Sequence, residues 1–368
     1  MVDRVAPERV PPSDPRRRHS YAGAVDDHHD LIFVGSLPPT PGGGEGITTV
    51  RRDRRSGELT APRLAAVTPA PSFLARHPAR PVLYAVNELP QGRLSAWQVA
   101  PDGELTPLGS APTGDAGPCH VAVHPSGRYA VCANYLGGSV SVLRLDDTGS
   151  PTGRTELVRH TGHGPDPDRQ AGPHPHMAAV APDGGTVSVV DLGADTVVHY
   201  RLSAAGTLAP AGTTPTRPGT GPRHVAVGAG LAYLVGELDG TITCFQVDGA
   251  GRWRERDRLP LLGDGAAGYP SEVAVSPDRR FVYAASRGPD RIAVFAEPGR
   301  RLRPVAEVPC GGHWPRHFAL VDGHLYVANE RSGSVLTFRV DPDTGLPTPT
   351  GNLLDLHSPS CVLRFARR

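Results

Sequence analysis

A proline recurs seven times along the chain, each time at the head of a short apolar run: Pro71, Pro118, Pro175, Pro222, Pro270, Pro315 and Pro359. Five of the six intervals are 44 to 48 residues, and the sixth, from Pro118 to Pro175, is 57. A period of that size marks a repeat architecture, in which each unit buries its apolar faces against its neighbours. The 368 residues would otherwise suggest two or three domains, but a closed array can hold them in one.

The residues between prolines read as short strands. A first strand follows each proline, at 73–77, 120–124, 177–181, 224–228, 272–276, 317–321 and 361–365. A polar turn leads to a second strand, at 31–36, 82–88, 129–135, 186–192, 231–237, 281–287 and 325–330. Third strands follow at 47–51, 94–99, 139–145, 196–202, 241–247, 291–297 and 334–340, with weaker fourth strands such as 105–111 and 208–213. The runs are rich in Val, Tyr and Phe and are separated by turn residues, which favours strand over helix. The chain opens on a second strand and closes on a first one. The two ends therefore complete one four-stranded unit, and the array has no open edge. The expected fold is all-β: a seven-bladed β-propeller over 31–368, closed by the C-terminal strand joining the N-terminal blade. Residues 1–30 are polar and read as a disordered tail. Arg16-Arg17-Arg18 lacks the apolar segment that an export signal requires.

Composition narrows the chemistry. The formal net charge is +1, so no strong field favours nucleic acid or an anionic membrane. Trp97, Trp253 and Trp314 are too scattered for a base-stacking platform, and no apolar run is long enough to span a membrane. All 38 basic residues are Arg, which excludes a Schiff-base lysine and leaves Arg and His to hold any anion. The five cysteines are irregularly spaced with no CxxC, so neither a disulfide framework nor a zinc site is expected, and a reducing cytoplasm is the expected compartment. The stretch 263–268 fits GxGxxG but precedes a strand rather than a helix. No cofactor and no metal are expected.

In a propeller the start of each first strand and the end of each second strand meet at one mouth of the central channel. The first-strand starts supply His120, His176, Arg223, His224, Glu272, Arg316 and His317; the second-strand ends supply Glu88, Asn134, Asp191, Glu237, Arg287, Asn329 and Glu330. Convergence of mixed-sign ionisable groups from separate repeats points to a polar pocket. The long interval carries an insertion, 160–176, which should drape over that mouth as a lid; it contains Arg169 and His174. Its His and Asp density lacks the spacing of a rigid metal cage.

Several segments together resemble the seven-bladed lactonase propellers, a family with bacterial 6-phosphogluconolactonases and fungal muconate-lactonizing enzymes. They are Arg169-Gln170 with Pro173-His174-Pro175-His176, Asp191-Leu192-Gly193, Gly221-Pro222-Arg223-His224, Glu237-Leu238, Tyr269-Pro270-Ser271-Glu272, Ser286-Arg287-Gly288 and Ala328-Asn329-Glu330. The resemblance covers roughly 31–366. Gly236 and Glu330 depart from it, where Asn and Gln are common in the family. It implies a cofactor-free hydrolase of a small sugar lactone, foremost 6-phosphogluconolactone, acting as a monomer or weak dimer. It also implies His176, Arg223, Glu237 and Arg287 as the catalytic set, with either His176 or Glu237 as general base. Glu88, His120, Asn134, Arg169, His174, Asp191, His224, Glu272, Arg316, His317 and Asn329 are the expected substrate contacts. A muconate-type lactonase or cyclising isomerase, and a non-catalytic binding propeller, are the competing expectations.

Overall fold

Each recurring proline stands at the start of an innermost strand, as its first residue in six and its second, after Tyr269, in the other. The computed structural model describes residues 28–37, 46–249, 251–296 and 301–366, which form twenty-eight strands, β1 to β28 in chain order. They pair antiparallel into seven four-stranded sheets. The innermost strands are β28 (Pro359–Phe365), β4 (Pro71–Arg76), β8 (Pro118–Val123), β12 (Pro175–Val180), β16 (Pro222–Gly228), β20 (Tyr269–Val275) and β24 (Pro315–Val321). Each contacts the next, and β24 against β28 with β28 against β4 closes the ring. The expected ring closure is present: β28 pairs with β1 (His29–Ser36), from Leu31 opposite Phe365 to Ser36 opposite Pro359.

The proline has a local reason. At the start of every inner strand the pairing register slips, as between Pro175 and Met177 or between Pro222 and Val225. A β-bulge leaves its extra residue outside the ladder and re-aims that side chain, and proline is tolerated where a ladder donor is not needed. The residues skipped are Ser72, Cys119, His176, Arg223 with His224, Ser271 with Glu272, Arg316 and Ser360.

The core is divided in the same way. Seven apolar clusters fill the seven gaps between adjacent sheets; Leu31, Phe33, Leu74 and Leu83 lie in the first gap and Tyr326, Val335, Ile32 and Val362 in the last. Removing about 1.5–3 kcal/mol worth of apolar surface per large side chain from water makes each gap a fastening between blades. Tyrosines add a polar clasp across four gaps. The hydroxyls of Tyr84, Tyr129, Tyr283 and Tyr326 donate to the carbonyls of Gly149, Ala204, Gly345 and Gly57 in outer turns of the following blade.

Two expected boundaries shift. His29 and Asp30, expected in the tail, open β1, and Asp30 is fully buried. Its carboxylate is tolerated because Arg52, Arg54 and Arg364 surround it at 2.8–3.2 Å. The remainder of the tail, 1–27, lies outside the described residues, as does position 297 of the expected third strand 291–297.

Candidate active site

The bulged residues meet in the channel. A small cavity of about 10 Å³, room for about one water, is lined by Ser72, Phe73, Glu88, Cys119, His176, Arg223, His224, Arg316, His317 and Ser360. Seven of these ten are residues that the register slips set outside the ladders. The repeat thus builds the ring and also turns one or two side chains per blade into its centre.

Glu237 gathers arginines beside the cavity, one of which, Arg223, lines it. Glu237 follows β17 (Leu231–Gly236), and its carboxylate takes Arg287 at 2.6 Å, Arg223 at 3.0 Å and Arg169 at 2.6 Å. Burial alone would push this carboxyl up, but the three guanidinium groups hold it down at about 2. Arg223 also donates to the Ser271 carbonyl, and Arg287 to the Tyr269 carbonyl at 3.0 Å. Burial, with Arg287 and Arg316 close by, pushes the Arg223 guanidinium down to about 9. It is charged at neutral pH and stands to gain from an incoming anion. Arg316 pairs with Glu330 at 3.0 Å. By formal charge, four guanidinium groups (Arg169, Arg223, Arg287, Arg316) face four carboxylates (Glu88, Glu237, Glu272, Glu330) at the mouth. Trp314 walls one side, with Arg287 5.5 Å from its ring centroid and Arg331 at 3.4 Å.

A layer of imidazoles lies alongside. His176 and His224 have ring centroids 5.1 Å apart, and His224 and His120 are at 5.6 Å. His120 packs on Phe73 at 4.1 Å, and His317 meets the same ring edge-on at 5.5 Å. Glu272 binds His224 at 3.0 Å and His317 at 3.2 Å. Burial, reinforced by nearby cations, holds His120, His176 and His224 well below the usual 6.5, and burial lowers His317 to about 4. All four are neutral imidazoles at pH 7. Burial pushes the Glu272 carboxyl up, against the opposing pull of His317.

The lid is fastened before any ligand arrives. Gln170, fully buried, donates to the Leu192 carbonyl at 2.9 Å. Arg169 reaches from the lid to Glu237 and, at 3.3 Å, to the Tyr135 hydroxyl. His174 stacks on Tyr135 with centroids 4.6 Å apart and meets the Tyr135 carbonyl at 2.8 Å through Nδ1. Beneath it, Gly193 admits no side chain, since a Cβ there would lie 2.0 Å from the Gly172 carbonyl oxygen.

Three expected contacts are placed elsewhere. Asn134, Asp191 and Asn329 are completely buried; Asp191 is fully engaged by the protein itself, and the two asparagines are engaged through their amide nitrogens, the Oδ1 of each having no partner among the described residues. Asn134 donates to Ser139 and Ser141, and Asn329 to the Cys310 carbonyl. Asp191 accepts from the backbone N–H groups of His174, Gly193 and Ala194 and pairs with His160 at 2.7 Å. The reason is strand parity. Asn134, Asp191 and Asn329 lie opposite the prolines Pro118, Pro175 and Pro315, whereas Glu88, Glu237 and Glu330 stand one residue beyond the corresponding position. A shift of one residue turns a side chain to the other face. Tyr135 occupies that outer position in its blade and was missed because an uncharged residue carries no signal on its own; the shared register would have found it. Ser72, Phe73, Cys119 and Ser360 were missed for the same reason.

Of the ten buried side-chain polar atoms without a hydrogen-bond partner among the described residues, five belong to residues of this one cavity: Ser72 Oγ, Glu88 Oε2, His176 Nδ1, His224 Nε2 and Arg223 Nε, the last of which is ion-paired with Glu237 at 3.0 Å, so that four stand without any partner. Leaving such groups unsatisfied costs about 1–3 kcal/mol each, and their concentration in one place is the mark of a site shaped for a polar ligand.

A closed ring of seven blades around a polar, mixed-charge channel mouth defines a seven-bladed propeller with a central polar site. The chain matches the family "Lactonase, 7-bladed beta-propeller" over residues 32–364, and it belongs to that family. It is 34% identical to the 6-phosphogluconolactonase of Bacillus subtilis, over 90% of this chain and 97% of that protein. A 6-phosphogluconolactonase of Formosa agariphila is 28% identical over 85% of this chain and 93% of its own. Among solved structures, the periplasmic gluconolactonase of Pseudomonas aeruginosa superposes with a TM-score of 0.85 at 31% identity, covering 92% of this chain and 99% of that one.

Proposed function

We propose that this protein hydrolyses a sugar lactone at the channel mouth, with 6-phosphogluconolactone as the substrate and 6-phosphogluconate as the product. The observation that carries the reading is the group of four unsatisfied polar atoms around one cavity beside three arginines gathered on Glu237. The relatives named 6-phosphogluconolactonase support the choice of substrate.

Ester opening in a ring requires an oxyanion to be stabilised, a water to lose a proton and the ring oxygen to gain one. Arg223 and Arg287 are the groups proposed for the oxyanion, since charge-assisted donors in a dry site act without reorganising. Glu237 holds them there; with its acidity near 2 it is a poor proton acceptor at neutral pH, so proton transfer is assigned to imidazole. Arg169 and Arg316 are proposed for the phosphate, and Glu88, His174 and Tyr135 for orienting the sugar; Glu272, expected among the substrate contacts, is engaged instead by His224, His317 and the Val273 N–H. Asn134, Asp191 and Asn329 are left out of the contact set.

The five cysteines are all free, which supports a reducing cytoplasm, and the protein is proposed to act there as a monomer or weak dimer without metal or cofactor. No helix among the described residues is long and apolar enough to cross a membrane.

The test is hydrolysis of freshly made 6-phosphogluconolactone, corrected for spontaneous opening, beside unphosphorylated gluconolactone. Wild type should exceed Arg223→Ala by about 100-fold or more. Equal rates for the two proteins would overturn the reading, and equal rates on the two lactones would remove the phosphate from it.

A further inference from the structure

We infer that the general base is His224, oriented by Glu272, and is neither His176 nor Glu237; this rests on the lactonase reading above. A base must present a lone pair, and its tautomer must be fixed. For His224 the fixing chain can be followed atom by atom. The Val362 N–H donates to His317 Nδ1 at 3.2 Å, so His317 carries its proton on Nε2. That Nε2–H lies 3.2 Å from Glu272 Oε2, and the Val273 N–H donates to Glu272 Oε1 at 3.0 Å. Both oxygens of Glu272 are thus acceptors, as an ionised carboxylate requires. The remaining capacity of Oε2 faces His224 Nδ1 at 3.0 Å, which places the His224 proton on Nδ1. His224 Nε2 is left with a lone pair, buried and without a partner, on a residue that lines the cavity. This is the orientation logic of a carboxylate–imidazole pair, here aimed at water rather than at a serine.

The alternatives fall short on geometry. Glu237 is committed to three guanidinium groups. His176 has an unpartnered Nδ1, and among the described residues no hydrogen bond to its ring fixes a tautomer. It stands edge-on to Tyr135 at 5.5 Å and to His224 at 5.1 Å, the position of a wall that shapes the cavity.

The step balances without a co-reactant. Water adds through oxygen to the lactone carbonyl carbon as its proton passes to His224 Nε2. The carbon–ring-oxygen bond then breaks, and the imidazolium returns that proton to the ring oxygen, which becomes a hydroxyl. The carboxylic acid formed ionises to solvent. Glu272 is a positioning residue: it stabilises the transient imidazolium and never touches the lactone.

His224 is faced by His176 from β12, His120 from β8, Glu272 from β20 and His317 from β24, and by the charges of Arg223, Arg287, Arg316 and Glu237. Burial and three cations keep it unprotonated, so the acid limb of kcat/KM should fall below pH 6.5.

The experiment has two arms on the full chain. In the first, ¹⁵N NMR of the histidines, with the His224 signal assigned by its loss in His224→Gln, reports the tautomer of the free protein. We expect Nδ1–H with Nε2 unprotonated, and the tautomer should change in Glu272→Gln. A protonated Nε2 in wild type overturns the proposal, whatever the substrate. In the second, His224→Gln should lower kcat on 6-phosphogluconolactone by about 100-fold or more while KM and calorimetric binding of 6-phosphogluconate stay within about threefold. Glu272→Gln should show the same split. Turnover kept by His224→Gln but lost in His176→Gln overturns this inference alone. No turnover by wild type overturns the lactonase reading and this inference with it.

Discussion

Glu237 and Arg287 stand at the ends of second strands in neighbouring blades and meet at 2.6 Å, with side chains only 4% and 7% exposed. Together with Arg223 and Arg169, they make a knot of one carboxylate and three cations that no single blade could form. The site therefore depends on the ring being closed, and the ring holds buried charge at its centre.

Removing that carboxylate should be costly. Glu237→Gln leaves Arg223 and Arg287 buried without their counter-ion, and breaking a buried ion pair from one side costs about 3–5 kcal/mol. Urea unfolding should show a lower midpoint with an unchanged slope. Added phosphate should raise the Tm of the variant more than that of wild type, because an anion can take the empty place. An unchanged midpoint would mean that the cluster contributes no net stability.

The buried imidazoles set the acid response. His120, His176, His199, His224 and His317 are all held below the usual 6.5, mainly by burial. Below pH 6.5 the unfolded chain takes up protons at these positions while the folded protein does not, so stability must fall as pH falls. Glu237, held at about 2 against an ordinary 4.5, contributes a second loss between those values. Tm should therefore begin to drop on acidification from pH 6.5 toward 4, before most carboxylates titrate. A Tm that stays flat down to pH 4.5 would contradict this.

The lid offers a test of binding without chemistry. Arg169 is 35% exposed and ties the lid to Glu237 and Tyr135. Arg169→Ala should raise KM for the phosphorylated lactone by about tenfold and change kcat little, since it removes binding common to ground and transition states. Gly193→Ala should act in the same direction by pushing the lid away from the Gly172 carbonyl. A fall in kcat at unchanged KM would place Arg169 in the chemistry instead.

Much of this molecule is legible in the chain because a repeat states its own alignment seven times. The prolines locate the inner strands, and the mismatched ends locate the closure. What the repeat hides is which side of a strand a residue occupies at the point where the register slips. Asn134 and Glu237 look equivalent as strand-end polar residues, yet one fastens a turn and the other gathers arginines. The pairing of His224 with Glu272 is hidden too, because the two residues lie 48 positions apart and meet only when adjacent blades pack.

The last prediction concerns closure. β28 supplies the innermost strand of the first blade, and its Arg364 reaches buried Asp30 at 2.8 Å beside Arg52. Burial would push Asp30 up, but Arg54 and Arg364 hold it low, so it is charged and needs its partners. Deleting 359–368 removes a strand, the apolar side chains of Cys361, Val362 and Phe365, and one of these cations. It also opens the edge of β1 and empties one wall of the channel, where Ser360 lies. The truncated chain should fail to accumulate as a soluble protein, or should melt without cooperativity. Asp30→Asn isolates the electrostatic part and should cost about 3–5 kcal/mol with the ring otherwise intact. A truncated chain that melts cooperatively near the wild-type Tm would show that the other six blades hold the ring without the C-terminal strand.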